Sequence, residues 1–113
     1  MPGKLTTHVL DTATGRPAAG VRVYLSLNEE LVAQAVTNAD GRCDRPLLEG
    51  EQFVRGTYRL DFRVGQYFID QKHPDARRFL DVIPIVFIVD DPTKPYHVPL
   101  LVSPWSYTTY RGS

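Results

Sequence analysis

Apolar residues occupy every second position along much of the chain. Two runs show this most clearly, from Val21 to Leu27 and from Tyr58 to Val64, with mostly polar residues between. Because successive side chains of a strand point to opposite faces, each run predicts a half-buried strand. Leu5 to Leu10, rich in Thr and Val, predicts another. His97 to Val102 predicts a further strand, which Ser106 to Tyr110 would continue after the break at a proline.

Other segments differ from this alternation. Val82 to Val89 is apolar at both sets of positions, which is typical of a strand covered on both faces. Pro84 lacks an N–H, so we expect it near that strand's start or on an unpaired edge. The one helix candidate is Glu49 to Arg55, which Gly56 would end as a C-terminal cap.

Turn signals separate the predicted strands at regular spacing. We expect turns or loops at four segments: Thr14–Pro17, Asn28–Glu30, Asn38–Gly41 and Asp90–Pro95. Short strands separated in this way, with one brief helix, predict an all-β sandwich.

Size and composition narrow the class further. The chain has 113 residues, 42% hydrophobic and 23% charged, which fits one soluble globular domain over residues 1–113. Thirteen basic residues balance thirteen acidic ones, so neither nucleic acid nor an anionic membrane is an expected partner. The sequence shows no secretory signal and no segment long enough to span a bilayer, so we expect a cytoplasmic protein.

Three polar residues are candidates for chemistry: His8, Arg42 and His97. Imidazole changes charge near neutral pH, so each histidine is a candidate general base or ligand-orienting group. Arg42 follows the Asn38–Gly41 turn, and its planar fork of donors suits a carbonyl oxygen that gains negative charge. The ordinary alternatives are a histidine satisfied by neighbouring backbone and an exposed arginine without a role. Spacing alone does not show that the three residues meet.

The end of the chain, Tyr110-Arg111-Gly112-Ser113, is its least ordinary segment. Termini usually fray unless contacts hold them. We expect this tail to be packed, either as part of a site or in a simple capping role.

The other candidate functional residues give weaker signals. His8, His73 and His97 show no paired metal-ligand spacing, so no metal site is expected. His73 lies in a polar stretch and is expected to be a solvated loop residue. Cys43, the single cysteine, excludes an internal disulfide, and we expect it to be a small buried residue rather than a nucleophile.

Several segments resemble, in order and across the whole chain, the transthyretin-like 5-hydroxyisourate hydrolases. They are Leu5-Thr6-Thr7-His8-Val9-Leu10-Asp11 with Gly15-Arg16-Pro17-Ala18, then Thr37-Asn38-Ala39-Asp40-Gly41-Arg42, then Tyr96-His97-Val98-Pro99-Leu100-Leu101, and the terminal Tyr110-Arg111-Gly112-Ser113. The stretch from Asn28 to Val36 matches least and is expected to be peripheral.

The resemblance implies a β-sandwich of two antiparallel four-stranded sheets with one short helix. It implies that edge strands pair into dimers, and that two dimers form a homotetramer with active sites at the dimer–dimer interface. It also implies the reaction. Water opens the six-membered ring of 5-hydroxyisourate to give 2-oxo-4-hydroxy-4-carboxy-5-ureidoimidazoline, a step of urate degradation that needs no cofactor.

The same resemblance assigns roles to individual residues. His8, Arg42 and His97 match the catalytic positions, and the tail supplies the substrate-binding positions, which are Tyr110, Arg111 and Ser113. In this scheme His8, with His97 as its partner, takes a proton from water, and Arg42 stabilises the oxyanion. The tail holds the flat ring.

Two other classes stay open at this point. A transthyretin-type carrier of thyroid hormone-like molecules would share the fold, but such carriers differ at the positions of His8 and Arg42 and lack the Tyr-Arg-Gly-Ser ending. A structural or adhesion sandwich of the immunoglobulin type is disfavoured by the single cysteine and the missing secretion signal.

Overall fold

A computed structural model describes residues 3–112, which form two β-sheets and one α-helix. The strands are β1 (Lys4–Asp11), β2 (Arg16–Pro17), β3 (Arg22–Leu27), β4 (Glu30–Val36), β5 (Leu48–Glu49), β6 (Gly56–Arg63), β7 (Val82–Val89), β8 (Tyr96–Val102) and β9 (Tyr107–Thr109). The helix α1 spans Val64–Asp70, and a single 3-10 turn spans Gly50–Gln52. Residues 3–112 contain no helix with the length and hydrophobicity of a membrane-spanning segment.

The two sheets confirm the all-β sandwich but correct one detail of it. The first sheet has the order β2-β1-β8-β9, with β5 paired to the start of β1, and the second has the order β4-β3-β6-β7. β1 and β8 run parallel, so the first sheet is mixed rather than antiparallel and holds five strands. A parallel pair requires a long crossover, and here the whole second sheet and the helix lie between β1 and β8 in sequence. β9 turns back to pair antiparallel with β8 instead of continuing it.

The core lies between the sheets and uses the alternation seen in the sequence. Leu5 and Val9 of β1, Leu25 of β3 and Leu60 of β6 are fully buried. Burial of one such side chain stabilises the fold by about 1.5–3 kcal/mol. The intervening residues of β1 and β8 face away from the core, which leaves the outer face of the first sheet available for polar groups.

β7 differs from the expectation of a strand covered on both faces. It is an edge strand, and its outward residues Val82, Val86 and Ile88 are 42%, 64% and 69% exposed. Pro84 lies on this edge strand, as predicted for a residue without an N–H.

The helix was predicted in the wrong place. Glu49 ends β5, residues 50–52 form the 3-10 turn, and residues 53–55 are neither helix nor strand. The α-helix instead begins at Val64, directly after β6 ends at Arg63. Val64, Tyr67 and Phe68 are buried at spacings of three and four residues, so α1 packs one face on the core.

Local turns and the peripheral segment follow the prediction more closely. Asn28 and Glu29 have φ of 48° and 74° and make a tight turn between β3 and β4. β4 itself was not predicted. It is an exposed edge strand, which confirms that this stretch is peripheral.

Candidate active site

His8 lies on the outer face of β1, where it contacts the turn that follows β4. Its Nε2 lies 2.8 Å from the carbonyl oxygen of Asp40. A carbonyl oxygen only accepts hydrogen bonds, so Nε2 carries the hydrogen of this bond. In the neutral ring Nδ1 therefore keeps the lone pair and can accept a proton.

Arg42 is placed beside His8 by the tight turn from Asn38 to Gly41. Gly41 has φ of +75°, and an added Cβ would lie 2.3 Å from the Val9 carbonyl oxygen, so no side chain fits there. The Val9 N–H donates to the Gly41 carbonyl oxygen at 2.8 Å. Asn38 Oδ1 accepts from the Arg42 N–H at 3.2 Å. The Val9–Gly41 bond belongs to an isolated antiparallel bridge between His8 and Arg42, and the bond to Asn38 holds the turn beside it.

His97 reaches the same face through the parallel pairing of β8 with β1. Thr6 is its register partner, so His8 lies two residues further along the same face. Thr6 Oγ1 and His97 Nδ1 are 2.9 Å apart. Burial lowers the pKa of His97 below its ordinary 6.5, and the positive charges of Arg42 and of protonated His8 lower this pKa further.

Arg42 and His97 line a cleft of about 380 Å³. His8 is not among the lining residues, but it is paired with Arg42 across the bridge. The lining residues are Lys4, Thr6, Thr7, Arg42, Cys43, Arg45, Pro95 and His97. Three of them are cationic and none is acidic. A neutral imidazole, a guanidinium and a positive surround together suit proton transfer from water and stabilisation of a developing oxyanion.

The tail lies elsewhere in the single chain. Tyr110 and Arg111 line a second cleft, of about 470 Å³, against β7 residues such as Ile85 and Ile88. The Arg111 guanidinium lies 3.9 Å from the centre of the Tyr96 ring. Tyr110 is 57% exposed. The structure thus brings His8, Arg42 and His97 together, but does not place Tyr110 or Arg111 in their cleft.

The last described residue connects the tail to the first cleft. The Gly112 N–H donates to the His97 carbonyl oxygen at 2.7 Å, which makes an isolated antiparallel bridge. The tail is therefore anchored at Gly112 while Tyr110 and Arg111 remain exposed. Ser113, predicted to bind substrate, lies outside the described residues.

Sequence reasoning missed four residues of this region: Lys4, Thr6, Arg45 and Gly112. The two-residue period places Lys4 and Thr6 on the same face as His8, so that signal was present in the sequence. The contact of Thr6 with His97, and that of Gly112, depend on strand pairing that local patterns do not show.

Two further expectations need correction. Cys43 is only half-buried and lines the cleft; burial, and then the nearby Asp44 carboxylate, raise the pKa of its thiol. His73 is half-buried rather than solvated. Its ring packs edge-on against Phe68 at 5.6 Å between centroids, and its Nδ1 accepts from the Asp75 N–H at 3.1 Å.

Metal-ligating residues do not cluster in the part of the chain that the structure describes. Nowhere in residues 3–112 do three or more His, Cys, Asp or Glu side chains come close enough to hold a metal ion.

Residues 5–112 match the HIUase/Transthyretin family. The chain is similar to two curated 5-hydroxyisourate hydrolases. That of Halalkalibacterium halodurans is 50% identical over 123 residues and covers 100% of each chain. That of Deinococcus radiodurans is 53% identical over 116 residues, which cover 99% of this chain and 97% of the relative.

Solved structures give the same likeness. The 5-hydroxyisourate hydrolase of Klebsiella pneumoniae superposes with a TM-score of 0.85 at 34% identity, over 98% of this chain and 99% of the other. Sea bream transthyretin in complex with thyroxine gives 0.87 at 30% identity, over 96% and 94%. An (S)-allantoin synthase gives 0.94 at 46% identity over 99% of this chain, which spans only 44% of that longer protein.

Proposed function

The chain belongs to the HIUase/Transthyretin family, and we propose that it hydrolyses 5-hydroxyisourate in the cleft lined by Arg42 and His97. One observation carries the proposal. The parallel pairing of β1 with β8 and the Asn38–Gly41 turn bring two imidazoles and a guanidinium to one face of the first sheet.

The reaction needs a base, which we assign to His8 with His97 as its partner. The imidazole takes a proton from water as the water oxygen adds to the acyl carbon. The acyl carbon–nitrogen bond then breaks, the ring nitrogen receives a proton, and the product carries a carboxylate. The Asp40 carbonyl, which holds Nε2–H of His8, supports Nδ1 as the accepting atom. A positioned base of this kind contributes about 10² to 10⁴-fold to the rate.

We assign stabilisation of the negative charge to Arg42. Negative charge develops on the acyl oxygen during attack, and losing one donor to such an oxygen costs about 3–4 kcal/mol of barrier. Lys4 and Arg45 line the same cleft, and their positive charges stabilise the oxyanion and the carboxylate of the product. Because the substrate's acyl–nitrogen bond is already activated, the proposal requires neither a metal nor another cofactor.

We further propose that the chain is a single cytoplasmic domain that forms a homotetramer, a dimer of dimers. In this assembly Tyr110, Arg111 and Ser113 of one subunit reach substrate in the cleft of another. Two observations support this: the tail lines a different cleft in its own chain, and the β7 edge exposes Val86 and Ile88. Exposed apolar edge strands are typical of subunit contacts. Light scattering after gel filtration should give four chains, and a monomer would contradict the assembly.

A hormone carrier is the alternative that the sea bream complex raises. A carrier site for such a ligand should be mainly apolar. The cleft beside His97 instead holds three cationic side chains, from Lys4, Arg42 and Arg45. We therefore do not favour binding without catalysis.

Turnover of freshly generated 5-hydroxyisourate, followed by its ultraviolet absorbance, tests the function. The purified protein should speed the decay in proportion to its concentration. His8→Ala should lose this activity while its thermal unfolding stays close to that of the wild type. His73→Ala should keep the activity, since His73 does not line the cleft. Decay no faster than in buffer would remove the enzyme assignment, and full activity of His8→Ala would remove the role of His8.

A further inference from the structure

The His97 ring is contacted at the two atoms that flank its Cγ. On one side, Nδ1 lies 2.9 Å from Thr6 Oγ1. On the other, an added Cβ on Gly112 would lie 2.7 Å from Cδ2, so the Gly112 backbone passes close against this edge of the ring. The Gly112 N–H also holds the His97 carbonyl oxygen at 2.7 Å.

These two contacts define one ring orientation. A half-turn about the Cβ–Cγ bond would exchange Nδ1 with Cδ2. The Thr6 hydroxyl would then face a carbon, and its hydrogen bond would be lost. The same rotation would place Nδ1 against the Gly112 backbone. Gly112 lies so close to the ring that an added Cβ would not fit between them. The register of β1 with β8 supplies the first contact, and the anchored tail supplies the second.

We infer that Thr6 and Gly112 are positioning residues that together fix the orientation of the His97 imidazole and leave Nε2 as the ring nitrogen available to substrate. Within residues 3–112, Nε2 makes no hydrogen bond with the protein, whereas Nδ1 is held by Thr6. The inference rests on the proposed function for its effect on turnover, but the orientation itself is a property of the folded chain.

The orientation matters because the lowered pKa of His97 favours the neutral form of its ring. Burial and the charges of Arg42 and His8, which face it from the turn and from β1, lower its pKa. A neutral imidazole has one N–H and one lone pair, so a wrong orientation presents the wrong atom to the substrate. Misplacement of a reacting group by about 1 Å can cost 10²-fold in rate.

Thr6→Val tests the hydroxyl without changing the branched shape of the side chain. We expect kcat to fall about tenfold with KM within about threefold, as for the loss of one orienting hydrogen bond. Thr6→Ser, which keeps the hydroxyl, should restore most of kcat. Thr57→Val, which removes an exposed hydroxyl from β6 of the other sheet, is the matched control and should match the wild type.

Gly112→Ala tests the second contact. Its Cβ must push Cδ2 of His97 aside, so kcat should fall by roughly 10²-fold. Nitrogen and carbon NMR shifts of the imidazoles give a readout that does not need turnover. In the wild type His97 should show one dominant tautomer, and both Thr6→Val and Gly112→Ala should move the His97 signals while those of His73 stay fixed.

Two results would overturn the inference. One is an unchanged set of His97 shifts in both variants. The other is equal loss of kcat in Thr6→Val and Thr6→Ser, which would show that the hydroxyl is not what matters. If the wild type does not turn over 5-hydroxyisourate, the proposed function fails, yet the NMR comparison still decides whether Thr6 and Gly112 fix the ring.

Discussion

Arg42→Gln removes the guanidinium beside His97 while leaving a polar side chain in its place. If this group stabilises the negative charge that develops during attack, the variant should lose about 10²- to 10³-fold in kcat, which corresponds to about 3–4 kcal/mol of barrier. The loss should fall on kcat more than on KM, because the charge exists only on the way to the transition state.

Folding stability should scarcely change in the same variant. The Arg42 side chain is exposed, and within residues 3–112 it makes no ion pair or side-chain hydrogen bond. The bond from its own N–H to Asn38 Oδ1 involves only the backbone of Arg42 and survives the substitution. Exposed substitutions of this kind change the free energy of unfolding by within about 0.5 kcal/mol. A large loss of kcat with almost no change in the free energy of unfolding therefore indicates that Arg42 acts in catalysis and not through the fold.

The pH dependence offers a second readout of Arg42. Its positive charge helps to hold the pKa of His97 below the ordinary value. Removing that charge raises the pKa of His97, so at a given pH less of the imidazole is neutral. If the neutral ring is the active form, the acid limb of kcat/KM moves to higher pH in Arg42→Gln.

Stopped-flow ultraviolet decay of 5-hydroxyisourate measures kcat and KM across the neutral range, and urea unfolding measures stability. Arg22→Gln, an exposed arginine on the other sheet, is the matched control and should behave as the wild type. Wild-type kcat in Arg42→Gln would refute the oxyanion role. A large loss of stability in that variant would show that the arginine acts through the fold.

Three further predictions follow from the same geometry. Deleting residues 110–113 should abolish turnover while light scattering still shows the tetramer; retained turnover would make the tail purely structural. Gly41→Ala should lower the free energy of unfolding by about 1–3 kcal/mol or more, since φ is +75° and its Cβ would meet the Val9 carbonyl oxygen at 2.3 Å; wild-type stability in urea would contradict this. Because the pKa of His97 is lower folded than unfolded, stability should fall as pH drops below about 6.5 and stop falling, for this group, below the folded pKa; His97→Asn should flatten this dependence, and an unchanged slope would contradict the assignment.

Local patterns were sufficient for most of the strands. The alternation from Tyr58 onward predicted β6, but it also carried the strand past its true end and hid α1. The buried residues Val64, Tyr67 and Phe68 are spaced for a helix, so the helical signal was present and was overlooked. β4 was not predicted because it is an edge strand whose residues are mostly exposed, so it lacks a regular alternation of buried and exposed positions.

Long-range pairing was not predictable from these patterns. The parallel register of β1 with β8 places His97 beside Thr6, although the two residues are 91 positions apart in sequence. The resemblance to known hydrolases named His8, Arg42 and His97, and the structure brings these three together. It did not indicate that Tyr110 lines a separate cleft of its own chain, since that position depends on how β9 folds back on β8.

The most direct test of the site is a crystal structure of the assembled protein with urate, a stable planar analogue of the substrate. We expect the heterocycle between Arg42 and His97, with His8 beside it and Tyr110 from a neighbouring subunit against it. A ring bound instead in the cleft between β7 and the tail of the same chain, away from both imidazoles, would contradict this expectation.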